Sequence, residues 1–435
     1  MRQSETRQPS QTDLFRVLRV CPDYRRLFLA RNASLLGDWF NLLAVLAVLR
    51  ELGAFTAGSV GTIIILKLLP VTLAGPAAGV VADRFSRKAI MLIADATRFF
   101  LVLGIFLAPA LGAGGVWLIY TLTFAQITAQ AFSEPARVAS VPNVVPTALL
   151  GTANALGALT WSLMFTLGAA AGGLVTSLLG WKLAIAFDAG SYLVSLAFLA
   201  GLHLPPPRVP ARDDEKGLLT FLGIRDLLAA GRHLAGHPRI LSFMTAKTGW
   251  GLAGGISMML ALFGERVYPV GGSADMGIAL LYMARGIGTA IGPVISRRLT
   301  REESGALRIA IGVSFLLGGI CYIIFSKASY APLALLLVVI AHLGGSTVWV
   351  FSTLLLQKEV PDHYRGRVFA AELGMATAAI SLSTWGWGWL LDHGWTNLRQ
   401  MSMGIGVTML LAACIWYSSQ RLARPGARGR RSVEH

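Results

Sequence analysis

The chain is a succession of long apolar runs separated by short, mostly basic polar turns. A helix crosses a bilayer in about 20 apolar residues. Twelve such runs are predicted, at 26–49, 58–81, 89–110, 115–134, 149–177, 181–203, 239–263, 274–296, 305–326, 331–356, 368–391 and 397–418. The gaps are short except 204–238. That segment opens with Pro205-Pro206-Pro207, passes through Asp213-Asp214-Glu215-Lys216 and holds an amphipathic piece from Leu218 to Leu234. It predicts the boundary between two six-helix halves, with the amphipathic piece along the inner membrane surface. Residues 1–21 are polar and basic, without the apolar stretch of a cleaved signal. The expected organisation is a cytoplasmic tail over 1–21, a bundle over 22–203, a linker over 204–238, a second bundle over 239–418 and a basic tail over 419–435. The fold class is an all-α polytopic membrane protein, with twelve transmembrane helices in two pseudo-symmetric six-helix bundles.

Composition agrees with the pattern. Of 435 residues, 54% are hydrophobic and 14% charged, and mean hydropathy is +0.62. A soluble domain carries about 25% charged residues. Cys21, Cys321 and Cys414 lie far apart, with no metal-binding spacing and no place in an outer loop, and read as packing residues. The net charge of +16 raises nucleic acid as a partner, but its placement argues otherwise. On the predicted topology 28 of the 38 lysines and arginines fall on one side, and five (Arg50, Lys182, Arg266, Lys327 and Arg399) on the other. The positive-inside rule makes the basic side cytoplasmic, with both termini inside. The excess charge then suits anionic lipid headgroups. The expected partners are a small-molecule substrate and membrane lipid, with no nucleic acid, and the chain is expected to be a monomer.

The halves repeat each other. Pro22 precedes Arg31 by nine residues, as Pro238 precedes Lys247. Gly75-Pro76 matches Gly292-Pro293, and Val141-Pro142 matches Val360-Pro361, at nearly the same offset. Repeated six-helix halves are a transporter architecture with the site near the midplane.

Five bases remain inside the spans: Arg31, Lys67, Arg98, Lys247 and Arg285. Each costs at least about 2.5–3.5 kcal/mol at the bilayer centre, so each faces protein or water. Arg31, Ser34, Asp38 and Asn41 share one helix face. Asp38 has two readings: a carboxylate that takes up and releases a proton, or half of a structural ion pair with Lys67 or Arg31. Lys67 and Arg285, at similar depth in related spans, read as an anion clamp or as counter-ions. Gly288, Thr289, Gly292 and Ser296 form a small-residue stripe that admits a neighbouring helix or a ligand. Arg31 and Lys247 read as an inner gate or as snorkelling side chains. Asp95 and Arg98, at i and i+3, predict a self-contained salt bridge. Asp188 and Glu372 are further intramembrane acids, His342 reads as a hydrogen-bonded core residue, and Trp385, Trp387 and Trp389 as packing or interface residues.

The turn after the second span reads Gly79-Val80-Val81-Ala82-Asp83-Arg84-Phe85-Ser86-Arg87-Lys88. Gly79 is expected to permit close helix approach. The stretch resembles the signature loop of the major facilitator superfamily, with Ser86 in place of a glycine. The resemblance implies that Asp83 latches the two halves together with support from Arg84, Arg87 and Lys88, and that Glu134 and Arg137 are its local partners. Gly168-Ala169-Ala170-Ala171-Gly172-Gly173 is similar to the superfamily's antiporter motif, with Ala169 in place of proline. Ser133 to Arg137, Val141-Pro142 and Ala153-Asn154-Ala155 look like the branch containing macrolide efflux proteins and the enterobactin exporter.

The expected function is secondary active transport by alternating access in a bacterial-type inner membrane. The direction implied is export of a drug-like or siderophore-like molecule in exchange for protons. Anionic metabolites or lysophospholipids are the alternative substrates, and a non-transporting receptor the alternative class. An enzyme is not expected: no phosphate loop, nucleophile triad or metal-ligand cluster appears. No cofactor is implied, and the proton gradient is the expected energy source. Asp38, Arg31, Asn41, Lys67, Lys247 and Arg285 are the candidate substrate or proton residues.

Overall fold

The computed structural model describes residues 15–205, 238–301, 303–360 and 362–422. The expected amphipathic piece at 218–234 lies outside them. The described residues are helical, without a β-strand. The helices are α1 Arg16–Val20, α2 Pro22–Glu51, α3 Ala57–Leu66, α4 Leu69–Arg84, α5 Arg87–Gly104, α6 Ala113–Val144, α7 Leu150–Leu179 and α8 Trp181–Ala200. After the linker come α9 Pro238–Leu252, α10 Ile256–Arg266, α11 Ala274–Thr300, α12 Ser304–Phe325, α13 Ala331–Glu359, α14 Asp362–Asp392 and α15 Leu398–Leu422. Ten segments among the described residues are long and apolar enough to cross a membrane. The other two predicted spans correspond to α6 and to the broken pair α9–α10.

Two predicted spans are each two helices, for local reasons. The second breaks between Leu66 and Leu69. Pro70 has no N–H to give the Leu66 carbonyl, and its ring clashes with that carbonyl in a continuous helix. Lys67 is therefore the C-cap of α3, not a mid-helix residue. The seventh span breaks at Ala253-Gly254-Gly255. Gly255 has φ +81°, open to glycine and strained for other residues, and Gly254 packs where a Cβ would lie 3.0 Å from the Ile380 Cα.

Side-chain caps start several helices. The Thr56 hydroxyl accepts from the Ser59 N–H at 3.1 Å and that of Ser273 from the Met276 N–H at 3.3 Å. Ser86 caps α5, accepting from the Ala89 N–H at 3.4 Å. A residue that departs from the signature pattern thus has a helix-starting role here.

The described residues form two compact units. One comprises 15–53 and 73–205. In it α2 packs against α7 and α8, and α5 against α6 and α8. Every residue of α2 from Phe40 to Leu49 is buried. The other comprises 54–72 and the described residues from 238 to 422. In it α13 packs against α11 and α12, α14 against α9 and α3, and α12 against α15. The helix α3, from the first half of the sequence, thus belongs to the second unit.

Candidate functional site

In the first unit, four helices bring polar side chains to one point. Ser34 and Asp38 lie one turn apart on α2, Asp95 and Arg98 on α5, Gln126 and Gln130 on α6, and Asp188, Tyr192 and Ser195 along one face of α8. Arg98 is at the centre, with its side chain 3% exposed. It donates to the Asp38 carboxylate at 2.5 Å and to the Ser34 hydroxyl at 2.9 Å. Its guanidinium carbon lies 4.5 Å from the centre of the Tyr192 ring, within cation–π range. The Tyr192 hydroxyl donates to Asp38 at 3.1 Å and accepts from Gln126 at 2.9 Å. Gln130 reaches the other Asp38 oxygen at 3.4 Å. Asp95 accepts from Ser195 at 2.5 Å and lies 3.7 Å from Arg98.

Arg98 is thus a cation of Asp38 that the sequence reading did not offer it. The expected Asp95–Arg98 pair is present but longer. Asp188 is fully buried one turn from Tyr192. A Cβ on Gly37 would fall 2.6 Å from its Oδ1, so glycine is what lets α8 carry an acid against α2. Asn41 is fully buried. The sequence reading misses Gln126, Gln130 and Tyr192, although glutamines at i and i+4 in an apolar helix are a readable signal.

Arg31 belongs elsewhere. It lies 3.7 Å from Glu134, which also pairs with Arg137. The signature turn is tied to the C-terminal end of α6. Arg87 donates to the Ala139 carbonyl at 2.7 Å and to Asn143 Oδ1 at 3.1 Å. Lys88 donates to the Ala200 carbonyl at 2.7 Å, and Arg84 is exposed. The Asp83 side chain is outside the described atoms. Among the described residues, a Cβ on Gly79 would meet nothing within 4 Å. The antiporter-like glycines do mediate close approach. A Cβ on Gly168 would lie 2.7 Å from the Trp39 ring, and one on Gly172 3.1 Å from the Trp39 carbonyl. Gly173 is buried beside them. They seat α7 on α2.

In the second unit, Lys247 does not snorkel. Its ammonium donates to Glu372 and to the Thr353 hydroxyl, both at 2.8 Å, and sits 5.1 Å from the centre of the Trp349 ring. Lys247 is 7% exposed and Glu372 1%. Arg285 hydrogen-bonds the Ser257 hydroxyl, and the Ser257 carbonyl accepts from Tyr282 at 2.9 Å. His342 is a core histidine, as expected: its Nδ1 lies 3.1 Å from the Val338 carbonyl and 3.4 Å from the Tyr322 hydroxyl. The glycine stripe on α11 admits a helix. A Cβ on Gly288 would meet His342 at 2.9 Å, and Gly292 lies against Leu343 of α13. Trp387 packs on Gly404, whereas Trp385 and Trp389 are exposed.

Charged networks buried within apolar helices are what a membrane carrier needs, and they leave its family to be settled by comparison. The pattern of the Major Facilitator Superfamily matches residues 27–372. The chain belongs to this superfamily. An uncharacterised MFS-type transporter of Mycobacterium tuberculosis is 26% identical over 399 residues, covering 85% of each chain. Enterobactin exporters of Citrobacter koseri and Escherichia coli are 28% and 29% identical, each over 81% of this chain and of the exporter. The solved nucleoside transporter NupG matches with a TM-score of 0.71 at 13% identity, over 91% of this chain and 99% of its own. A peptide transporter matches at 0.72 and 13% identity, over 94% and 98%. This superfamily member is therefore a multi-pass membrane protein with a transporter's fold.

Proposed function

We propose that this superfamily member is a proton-coupled exporter of a siderophore-like or drug-like small molecule, working by alternating access with its basic side in the cytoplasm. The cluster around Arg98 carries the proposal. Two carboxylates, Asp38 and Asp95, surround one guanidinium. With all three ionised the trio keeps a surplus negative charge, and uptake of one proton cancels it. Buried charge is costly inside a membrane and marks ion and proton paths. Asp38 is the more accessible acid, at 16% side-chain exposure against 7% for Asp95. It is the group assigned to proton exchange. Similarity to the enterobactin exporters supports the outward direction and the substrate class.

The test is transport in proteoliposomes with an imposed pH gradient, with enterobactin and a macrolide as candidate substrates. Asp38→Asn is expected to abolish gradient-driven accumulation while leaving substrate exchange at zero gradient. Full gradient-driven transport by that variant would remove Asp38 from the coupling role.

A further inference from the structure

The last residue of α14 closes the first turn of α3. Asp392 Oδ1 accepts from the Ala57 N–H at 3.0 Å, and Oδ2 from the Gly58 N–H at 2.7 Å. The Thr56 hydroxyl takes the Ser59 N–H. The first three N–H groups of α3, which have no partner inside their own helix, are thus all satisfied, two of them by a residue more than 330 positions away. A carboxylate here also meets the positive end of the helix dipole.

The surfaces below the cap match. Thr384, Gly388 and Asp392 form one stripe on α14 at steps of four. A Cβ on Gly388 would lie 3.4 Å from the Ala57 carbonyl and the Gly58 Cα, and one on Gly61 would lie 3.4 Å from Thr384. Ala57 is 1% exposed. On the other flank, Arg266 of α10 donates to the Phe55 carbonyl at 3.3 Å. The first turn of α3 is held by backbone polar groups and by glycine-on-helix contact, and further along the helix Val60 and Ile63 are fully buried.

The polar cap at the start of α3 suits separation and return. Asp392 and the Gly58 N–H are at the exposed end of the contact, where water can replace each partner. The segment is bounded by two breaks: Gly53, with φ +67°, before it, and the interruption ahead of Pro70 after it. Through α4 it continues into the first unit. We infer that Asp392 is a latch on the outer side of the membrane: its carboxylate holds the start of α3 on α14, and the contact parts each time the outer side opens. The inference rests on the alternating-access reading and its topology.

The test uses the full chain with Cys21, Cys321 and Cys414 replaced by serine and one reporter, Ala57→Cys, in membranes whose outer face is accessible. A membrane-impermeant maleimide is the probe. The reporter is expected to label slowly with Asp392 intact, at least threefold faster with Asp392→Ala, and near the parent rate with Asp392→Glu. A second reporter, Ala334→Cys, at a fully buried site on α13, is expected to stay unlabelled throughout. Complete protection of Ala57→Cys in the parent, an unchanged rate in Asp392→Ala, or equal gains at both reporters would overturn the latch. Labelling needs no substrate and no flux, so the role of Asp392 is decided even in a chain that fails to export solute or to couple that export to protons.

Discussion

Arg98 on α5 donates to Asp38 on α2 at 2.5 Å, with 3% of the arginine side chain exposed. A buried cation in this position depends on its acids, and the acids depend on it. Removing one partner of a buried pair leaves the other uncompensated, at a cost of about 3–5 kcal/mol. Arg98→Ala is therefore expected to lower the thermal unfolding midpoint of the purified protein sharply. Arg98→Ala with Asp38→Asn should recover part of that loss, read in the same melting experiment.

The Lys247–Glu372 pair gives a second, independent case. Lys247→Met and Glu372→Gln should each destabilise the protein, the first by about 3–5 kcal/mol because Glu372 is then buried without its cation. The double variant Lys247→Met with Glu372→Leu should melt higher than Lys247→Met alone. A double variant at or below the single would show that the pair's neighbours, Thr353 and Trp349, matter more than its charges.

Gly168 lies against the Trp39 ring, where an added Cβ would be 2.7 Å away. Overfilling a packed interface costs about 1–3 kcal/mol. Gly168→Leu is expected to reduce the yield and melting temperature of folded protein, and Trp39→Ala in the same chain should restore part of both.

The signature turn separates its basic residues by role. Arg87 makes two hydrogen bonds to the C-terminal end of α6, and Arg84 is exposed. Hydrogen bonds to charged groups contribute about 1.5–3 kcal/mol. Arg87→Ala should accelerate maleimide labelling of a cysteine placed at Ser86, whereas Arg84→Ala should leave it within twofold of the parent.

The fold is readable because membrane spans obey a length rule that sequence alone exposes, and because basic residues cluster on one side. Asp38 is readable as a candidate because Ser34 and Asp38 are one turn apart in an apolar run. Its partner is not. Arg98 has an acid three residues away, and local spacing favours that pair; only the packing of both α5 and α2 on α8 brings another helix's carboxylate closer. Lys247 misleads for a similar reason. A lysine near a helix end has a stem long enough to reach an interface, and nothing local announces that Glu372, 125 residues on, lies within 2.8 Å. The helix breaks do have local signals: Pro70 forbids a bond to Leu66, and Gly254-Gly255 interrupts an otherwise apolar run.

The interruption at Gly254-Gly255 makes two separate tenants of one span. The segment before it is anchored by Lys247 to α13 and α14, and the segment after it by Ser257 to α11. The two sets of partners, Thr353 and Glu372 for the first and Tyr282 and Arg285 for the second, do not overlap. Substitutions at Lys247 and Arg285 should therefore be thermodynamically additive, within about 0.3–0.5 kcal/mol. A mutational scan along this span would divide into two blocks, epistatic within each block and nearly independent between them.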